Sequence, residues 1–416
     1  MALISRQNNL FAAEDWKIAY KAFSEVDFQA YDFDTVRASL IEYIRTNFPE
    51  TFNDYIESSE FIAIIEMLSF LSQSLAFRMD VNTRENFLET AERRDSVFKL
   101  ARMLGYNPKR NLPASGLMKV DAVSTTEPIQ DSLGNDINNV NVFWDDANNP
   151  EAYEQFITIL NSAMASYNRF SQPAKAGKVA GINTELYEIN TPISNTLAFD
   201  FGLSTSGVNR NFEVINPDFL DNDVYFERHP NPTNNFNLIY QNDGLGVSSN
   251  STGFFLMFKQ GDFKVANFNF DTPVENRSVD IEVAGINETD CFLQEVDSTG
   301  VVINEWKKIP NTVGQTLYYN NLAFDQRNLY SIENLDNDGI RIRFPDSNFG
   351  NIPFGNFRFY YRVSDAESYT IYPDDARLQT VSIPYVAQTG ESHTLSITFS
   401  LKDPVGNSVG AEDLEA

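Results

Sequence analysis

Side-chain catalysis needs a nucleophile with a base, a metal cage or a phosphate cradle, and this chain of 416 residues offers little of any. It holds one cysteine, Cys291, and two histidines, His229 and His393. One Cys and two distant His do not make a zinc site. A Ser-His-Asp set would need one of the histidines, but no G-x-S-x-G elbow is present, so both are expected as surface or loop residues. Ala176-Gly-Lys-Val179 lacks the hydroxyl residue after Lys and the upstream glycine of a phosphate loop. Gly244-Leu-Gly246 lacks a third glycine and reads as a turn. Carboxylates are plentiful, yet no spacing selects two of them as a glycosidase pair, and three Trp make a poor sugar platform.

One calcium-like pattern stands out. Asn334, Asp336, Asp338 and Gly339 match positions one, three, five and six of a calcium loop, but Pro345 replaces the closing glutamate. A hairpin turn is the preferred reading, because Asn337-Asp-Gly339 precedes the alternating Ile340-Arg-Ile-Arg-Phe344. Asn250-Ser-Thr and Asn287-Glu-Thr are glycosylation sequons only in a secreted chain. The expectation is a protein without catalytic residues, cofactor or metal, and not an enzyme.

A single cysteine excludes a disulfide framework and fits folding in a reducing cytoplasm. No basic segment followed by an apolar one opens the sequence, so secretion is not expected. The net charge of −27 argues against a nucleic-acid partner, since phosphates demand a basic face. Residues 1–110 hold 13 basic and 17 acidic side chains, a balance of −4; the remaining 18 and 41 give −23. The apolar stretch Phe61–Met79 is long enough to cross a bilayer. Glu66, Gln73 and Arg78 interrupt it, so it reads as a buried soluble helix, with no membrane insertion.

The elements that would position any site begin as helices. Asp34 can cap a helix with Val36, Leu40, Ile41, Ile44 and Phe48 in register, and Pro49 stops it. A second helix starts at Ser58 or Ser59, with Phe61, Ile64, Ile65, Leu68, Leu71 and Leu75 on one face and Ile62, Phe70 and Phe77 opposite. A helix apolar nearly all round is either central in a core or shared between chains. Asn82-Thr-Arg-Glu85 reads as a capping box for a third helix running to Leu104, with Gly105 at C′ and Pro108 beyond.

From about residue 114 the period changes. Residues 124–149 read as loop or weak strand. Asn149-Pro150 opens a helix bearing Tyr153, Phe156, Ile157, Leu160, Met164 and Tyr167. Residues 171–181 look like a flexible connector. Short β segments follow, clearest at Asp280–Val283, Cys291–Val296, Val301–Trp306, Ile340–Phe344, Phe357–Val363 and Leu395–Leu401. Val409–Ala416 reads as the first turn of a helix, so a longer natural chain is expected. The organisation expected is α+β and multidomain: 1–113 helical, 114–181 mixed, 182–400 β-rich, and 401–416 the start of a further segment.

Asn82-Thr-Arg-Glu-Asn-Phe-Leu-Glu-Thr-Ala-Glu-Arg-Arg-Asp-Ser-Val-Phe-Lys-Leu-Ala-Arg-Met-Leu-Gly-Tyr-Asn-Pro108 resembles the signature helix of baseplate J-like proteins. That family includes a baseplate wedge subunit of T-even-type contractile-tailed phages. The matching positions are Asn82, Glu85, Phe87, Leu88, Thr90, Ala91, Arg94, Val97, Leu100, Ala101, Leu104, Gly105, Tyr106 and Pro108. The family's second motif, a Phe-Gly-Asp-Gly turn before a Tyr-Arg strand, is similar to Phe344, Asp346, Phe349, Gly350, Pro353 and Gly355 followed by Tyr361-Arg-Val363. Pro345 and Ser347 depart from its glycines.

The resemblance implies a structural subunit of the virion tail baseplate, assembled in the host cytoplasm. Its implied partners are a second copy of itself, other wedge proteins and a sheath-initiating protein, in an inner ring around the tail tube that links wedges and rearranges on triggering. It implies a shared helical bundle, for which the candidate residues are Phe61, Ile64, Ile65, Leu68, Leu71, Leu75, Phe87, Leu88, Ala91, Arg94, Val97, Leu100 and Leu104. From the same motif a β-hairpin is expected over Phe344–Val363, with Gly350 and Gly355 at positive φ. The alternatives are a tail-fibre adhesin that binds host glycan, with or without hydrolase activity, and a sheath or tube subunit.

Overall fold

The change of period near residue 114 separates helix from sheet in a computed structural model that describes residues 32–47, 59–104, 106, 109–145, 149–165, 169–192, 198–221, 223–309, 327–335, 338–348 and 350–411. The class is α+β. The chain divides into two units, Met1–Tyr106 and Asn107–Ala416.

The first unit holds α1 (Phe33–Asn47), α2 (Ser59–Arg84) and α3 (Arg94–Met103). Asp32, not Asp34, caps α1: its carboxylate accepts from the Thr35 amide at 2.8 Å. Asp34 instead lies in the first turn, where its charge faces the positive end of the helix dipole. Pro49 and Phe48 lie outside the described residues.

The capping box expected at Asn82–Glu85 is not a helix start. The second helix runs on through Arg84, and a turn over 85–93 separates it from α3. Glu85 instead fastens the turn that leads into the next helix: its carboxylate accepts from the amides of Glu92 and Arg93, each at 3.2 Å, just before Arg94. The local pattern was satisfied by partners seven and eight residues away rather than three. Gly105 and Pro108 lie outside the described residues.

The second unit opens with β1 (Ser115–Thr125) and β2 (Val142–Phe143), then α4 (Pro150–Ala163). There follow β3 (Lys175–Val179), β4 (Ile182–Ile189), β5 (Ala198–Thr205), β6 (Val208–Ile215), β7 (Pro217–Phe219), β8 (Tyr225–Glu227), β9 (Phe236–Asn242) and β10 (Gly253–Gln260). After these come β11 (Asp262–Phe270), β12 (Ser278–Ile281), β13 (Ile286–Val296), β14 (Val302–Lys308), β15 (Leu329–Asn334), β16 (Ile340–Arg343) and β17 (Gly355–Val363). The last two strands are β18 (Gln379–Val386) and β19 (Ser392–Ser400).

A ten-stranded sheet runs β18-β19-β1-β10-β9-β4-β3, with β2 on β1 and the β5–β6 hairpin on β10. Every residue of β10 is buried, which makes it the central strand of this layer. The helix α4 covers the sheet as its pattern predicts. Asn149 caps it by accepting from the amides of Glu151 and Ala152, and Pro150 opens its first turn. Phe156, Ile159 and Leu160 enter the core, where Phe156 meets Trp144 edge-on at 5.1 Å. The connector expected at 171–181 is instead β3 and its tight turn into β4, with Ala180 and Gly181 at positive φ. Gly, Ala and Lys are poor strand formers, but a ladder to β4 outweighs propensity.

A seven-stranded sheet runs β11-β17-β13-β14-β15-β16-β12 around a second core, where Phe270, Trp306, Phe344 and Phe357 pack ring against ring. Each of the six clearest β segments read from the sequence overlaps a strand: Cys291–Val296 and Phe357–Val363 lie wholly inside β13 and β17, and the other four run one or two residues past an end.

The hairpin expected over Phe344–Val363 does not form. The strand β16 pairs with β12 and β15, whereas β17 pairs with β11 and β13, and three strands separate them. Hairpins are fixed by loops of two to about five residues. The connection here is longer, carries Pro345 and Pro353, and leaves the register to other neighbours. Gly355 has the expected positive φ of 91°, but Gly350 does not. Gly350 is needed for space: a Cβ there would stand 2.5 Å from Pro345 Cγ and 2.9 Å from the Arg327 carbonyl. Phe349 lies outside the described residues. Val409, expected to begin a helix, pairs with Leu112 in an isolated bridge; residues 412–416 lie outside the described residues.

Candidate functional site: an apolar helical seam

Among the described residues of the first unit, α2 carries a long exposed apolar stripe, and its spacing is that of a coiled-coil seam. Phe61, Ile64, Leu68, Leu71 and Leu75 follow one another at three, four, three and four residues. That interval averages about 3.5 residues, the repeat that keeps a stripe facing a partner helix. The side chain of Phe61 lies outside the described residues; the other four are exposed, Leu71 at 55 % and Leu75 at 53 %. Met67, Phe70, Phe77 and Met79 are exposed as well.

The reading of this stretch as a buried helix therefore fails within the single chain. Only Ile65 and Ser69 are buried among its described side chains from 62 to 84; Ile65, expected on the face of Ile64 and Leu68, is covered on the flank of the stripe while its neighbours are not. The physical reason is supply: α1 is its one adjacent helix among the described residues, joined to it by an Arg37–Glu66 ion pair of 3.2 Å. One short helix covers one face of a longer one.

Of the other residues assigned to a bundle, Phe87, Leu88 and Leu104 are exposed, while Ala91, Arg94, Val97 and Leu100 are half-buried. Phe98 is buried under the Arg94 guanidinium, 5.0 Å from its ring centre. A hydrogen bond from the Ser96 hydroxyl holds the Glu85 carboxyl below its usual range, so the turn over 85–93 is pinned by an ionised group. Phe87 and Leu88 sit in that pinned turn and extend the apolar surface beyond the end of α2.

The chemistry-bearing patterns elsewhere resolve into structure. Asn334 and Asp338, two of the calcium-like positions, are both turned toward Arg110, which donates to Asn334 Oδ1 at 3.3 Å and lies 3.7 Å from the Asp338 carboxylate. The segment is the β15–β16 hairpin turn, closed by the Leu335 amide on the Gly339 carbonyl at 2.9 Å. Among the described residues no group of three His, Cys, Asp or Glu side chains could hold a metal ion. His229 is a half-buried loop residue whose Nδ1 lies 3.1 Å from Gln294 Nε2; His393 is in β19, not a loop. Asn287 is fully buried and bonded to Asn111, so its sequon is closed.

In the turn motif, Phe344 is fully buried in the second core and Pro353 is buried, whereas Phe354 is exposed. The Asp346 carbonyl accepts from the Gly350 amide at 3.0 Å. This set positions its own sheet; only Phe354 of its described apolar residues is left largely uncovered.

Sequence reasoning passed over one constellation, a group of buried charges. In the alternation of Phe357, Phe359 and Tyr361 against Arg358, Tyr360 and Arg362, Arg362 falls on the polar side of the strand, but it is fully buried and paired to Glu213 and Glu227. Lys259 and Asp290 join it. The signal available was Lys259 itself, a charge closing an otherwise apolar run from Phe254 to Phe258.

Residues 116–404 match a family described as a domain of unknown function (DUF8360), which spans the sheets of the second unit. Residues 32–103 match a family described as bacteriophage baseplate protein, N-terminal domain, which takes in α1, α2 and α3. No curated protein matches the chain.

Proposed function

We propose, from the premise that this chain belongs to the family of the domain of unknown function DUF8360, that it is a wedge subunit of a contractile-tail baseplate. The N-terminal match supports the coarser part of that reading: a structural protein of a bacteriophage baseplate, located in the virion tail. A glycan-binding adhesin or a sheath or tube subunit is not favoured by it. The finer part is our reading of the seam together with the baseplate J-like resemblance of residues 82–108 and 344–363.

In this reading α2 and the turn after it enter a bundle shared with a second copy and with another wedge protein. The subunit then forms part of an inner ring that links wedges around the tail tube, contacts a sheath-initiating protein and rearranges on triggering. The observation that carries it is the exposed three-four repeat of Ile64, Leu68, Leu71 and Leu75. Fully burying a leucine or isoleucine side chain contributes about 1.5–3 kcal/mol, and since Ile64 and the three leucines are about half covered already, each adds roughly half of that on entering a bundle.

The stretch Ile62–Arg84 is also long and apolar enough to cross a bilayer. We infer a protein cover because Glu66, Arg78 and Asp80 lie within it, and charges at bilayer depth are costly unless paired. Nucleic acid is not a partner in this reading, given the charge of −27.

Co-expression with neighbouring tail proteins followed by negative-stain imaging tests the proposal. Wedge-shaped or ring-shaped mixed particles are the expected outcome. Particles of this chain alone as long polymers, or quantitative flotation of the protein with liposomes, would count against it.

A further inference from the structure

The two large sheets of the second unit and the separate β7–β8 pair bring together five charged side chains, each from a different strand: Glu213 on β6 and Lys259 on β10 of the ten-stranded sheet, Asp290 on β13 and Arg362 on β17 of the seven-stranded sheet, and Glu227 on β8. Lys259 Nζ lies 2.5 Å from Asp290 Oδ1 and 3.1 Å from Glu227 Oε2. Arg362 donates from Nη2 to Glu227 Oε1 at 2.9 Å and from Nη1 to Glu213, and its Nε lies 3.7 Å from Asp290 Oδ2. Asp290 and Arg362 are fully buried, and the other three side chains are nearly so.

The set holds three acids and two bases, an excess of one negative charge. An unbalanced charge out of reach of water is costly, and the ordinary remedy is a proton. The acids differ in how well their charge is met. Asp290 accepts from Lys259, from Asn287 Nδ2 at 3.0 Å and from the Thr289 hydroxyl at 3.1 Å. Glu213 accepts from Arg362 and from the Phe263 amide at 3.0 Å. Glu227 accepts only from the two cations, each already engaged by another carboxylate. It is the acid left short. Of the nearby charges, Arg228 pairs with Glu188 rather than with the cluster and His229 faces Glu305, whereas the exposed carboxylate of Asp200 on β5 acts on Arg362 and adds no positive charge to the set.

We propose that this junction is a proton-binding site, with the proton on Glu227, and that its loss as the solution passes through neutrality weakens the joint that the β7–β8 pair makes with the ten-stranded and seven-stranded sheets. Burial, set against the attraction of Lys259, pushes the Glu227 carboxyl up to about 7. Burial would lower the Lys259 ammonium, but Asp290 and Glu227 hold it above its ordinary value, so it stays charged. Glu227 titrates higher in the folded protein than in the unfolded chain. Its contribution is therefore fully present below the ordinary glutamate range and is lost as pH rises through about 7. The histidine at 229 acts in the opposite sense: burial pushes its imidazole down, so the fold gains from it as pH rises through the ordinary histidine range.

The full-length protein, labelled with carbon-13 at glutamate side-chain carboxyls, is titrated by NMR from about pH 5 to about pH 9, the span between the ordinary glutamate and lysine values. The urea midpoint is read at each pH in parallel for the wild type, Glu227→Gln and His229→Gln. One carboxyl titrating near neutrality is expected, absent from Glu227→Gln, together with a fall in midpoint across neutrality that is steeper in His229→Gln and missing in Glu227→Gln. A wild-type spectrum in which every glutamate titrates in the ordinary range overturns the proposal, and that result needs no variant to fold. A Glu227→Gln protein that keeps the fall in midpoint overturns it too.

Discussion

Arg110 donates through Nε to the Ile286 carbonyl at 2.7 Å, across 176 residues of sequence. The same buried guanidinium reaches the Gly339 carbonyl at 3.3 Å through Nη1 and the Asp338 carbonyl at 2.9 Å through Nη2. One side chain thus ties the start of the second unit to β13 and to the β15–β16 turn. Beside it, Asn111 Nδ2 donates to Asn287 Oδ1 at 2.6 Å.

Arg110→Met should therefore destabilise the protein well beyond a surface change. Each buried acceptor left without its donor costs about 1–3 kcal/mol, and three carbonyls lose theirs. Arg110→Lys keeps the charge but not the planar fork, and should recover less than half of the loss. Urea unfolding of the three proteins gives the comparison; equal midpoints would remove the staple from the account.

Gly350 and Gly355 should respond to alanine for different reasons. At Gly350 the added Cβ meets Pro345 and the Arg327 carbonyl, so a loss of about 1–3 kcal/mol from overpacking is expected. At Gly355 nothing stands within 4 Å of the added atom, and only the φ of 91° is unfavourable. About 1 kcal/mol is expected there. Thermal unfolding of both variants measures the difference, and a harmless Gly350→Ala would contradict the packing described.

Phe344 and Phe354 flank one connection but differ in cover. Phe344→Ala should cost about 3–5 kcal/mol, the loss usual for a buried phenylalanine. Phe354 is 57 % exposed, so Phe354→Ser should leave the isolated protein within about 0.5 kcal/mol of wild type. If Phe354→Ser impairs particle formation while stability holds, its ring belongs to an interface.

Leu71→Ala and Leu75→Ala separate folding from assembly. Both side chains are more than half exposed in the single chain, so the melting temperature should hardly move, whereas co-sedimentation with tail partners should fall. Ile65→Ala is the control: its buried side chain should cost about 2–5 kcal/mol of stability. Unchanged co-sedimentation of both leucine variants would separate the seam from assembly.

Local features were legible wherever the partner lay within a turn or so of sequence. The Asn149-Pro150 start of α4, the turn through Asp338-Gly339 and the alternation of Phe357, Phe359 and Tyr361 each depend on backbone geometry and near neighbours. The same reasoning erred where two local readings competed. Asn82–Glu85 looks like a helix start, yet α2 continues through most of it, because the apolar period from Ile62 onward favours one long helix.

The sequence by itself determined the α+β order and the apolar spacing along α2, since these are properties of spacing and composition. Tertiary structure alone decided which strands are neighbours. It set β16 and β17 three strands apart and put Arg362 beside Glu213 and Glu227, 149 and 135 residues away. Strand alternation says that a residue faces one side; it does not say what will cover that side. Arg362 reads as solvent-facing until another sheet closes over it, and only then does the excess carboxylate at Glu227 exist.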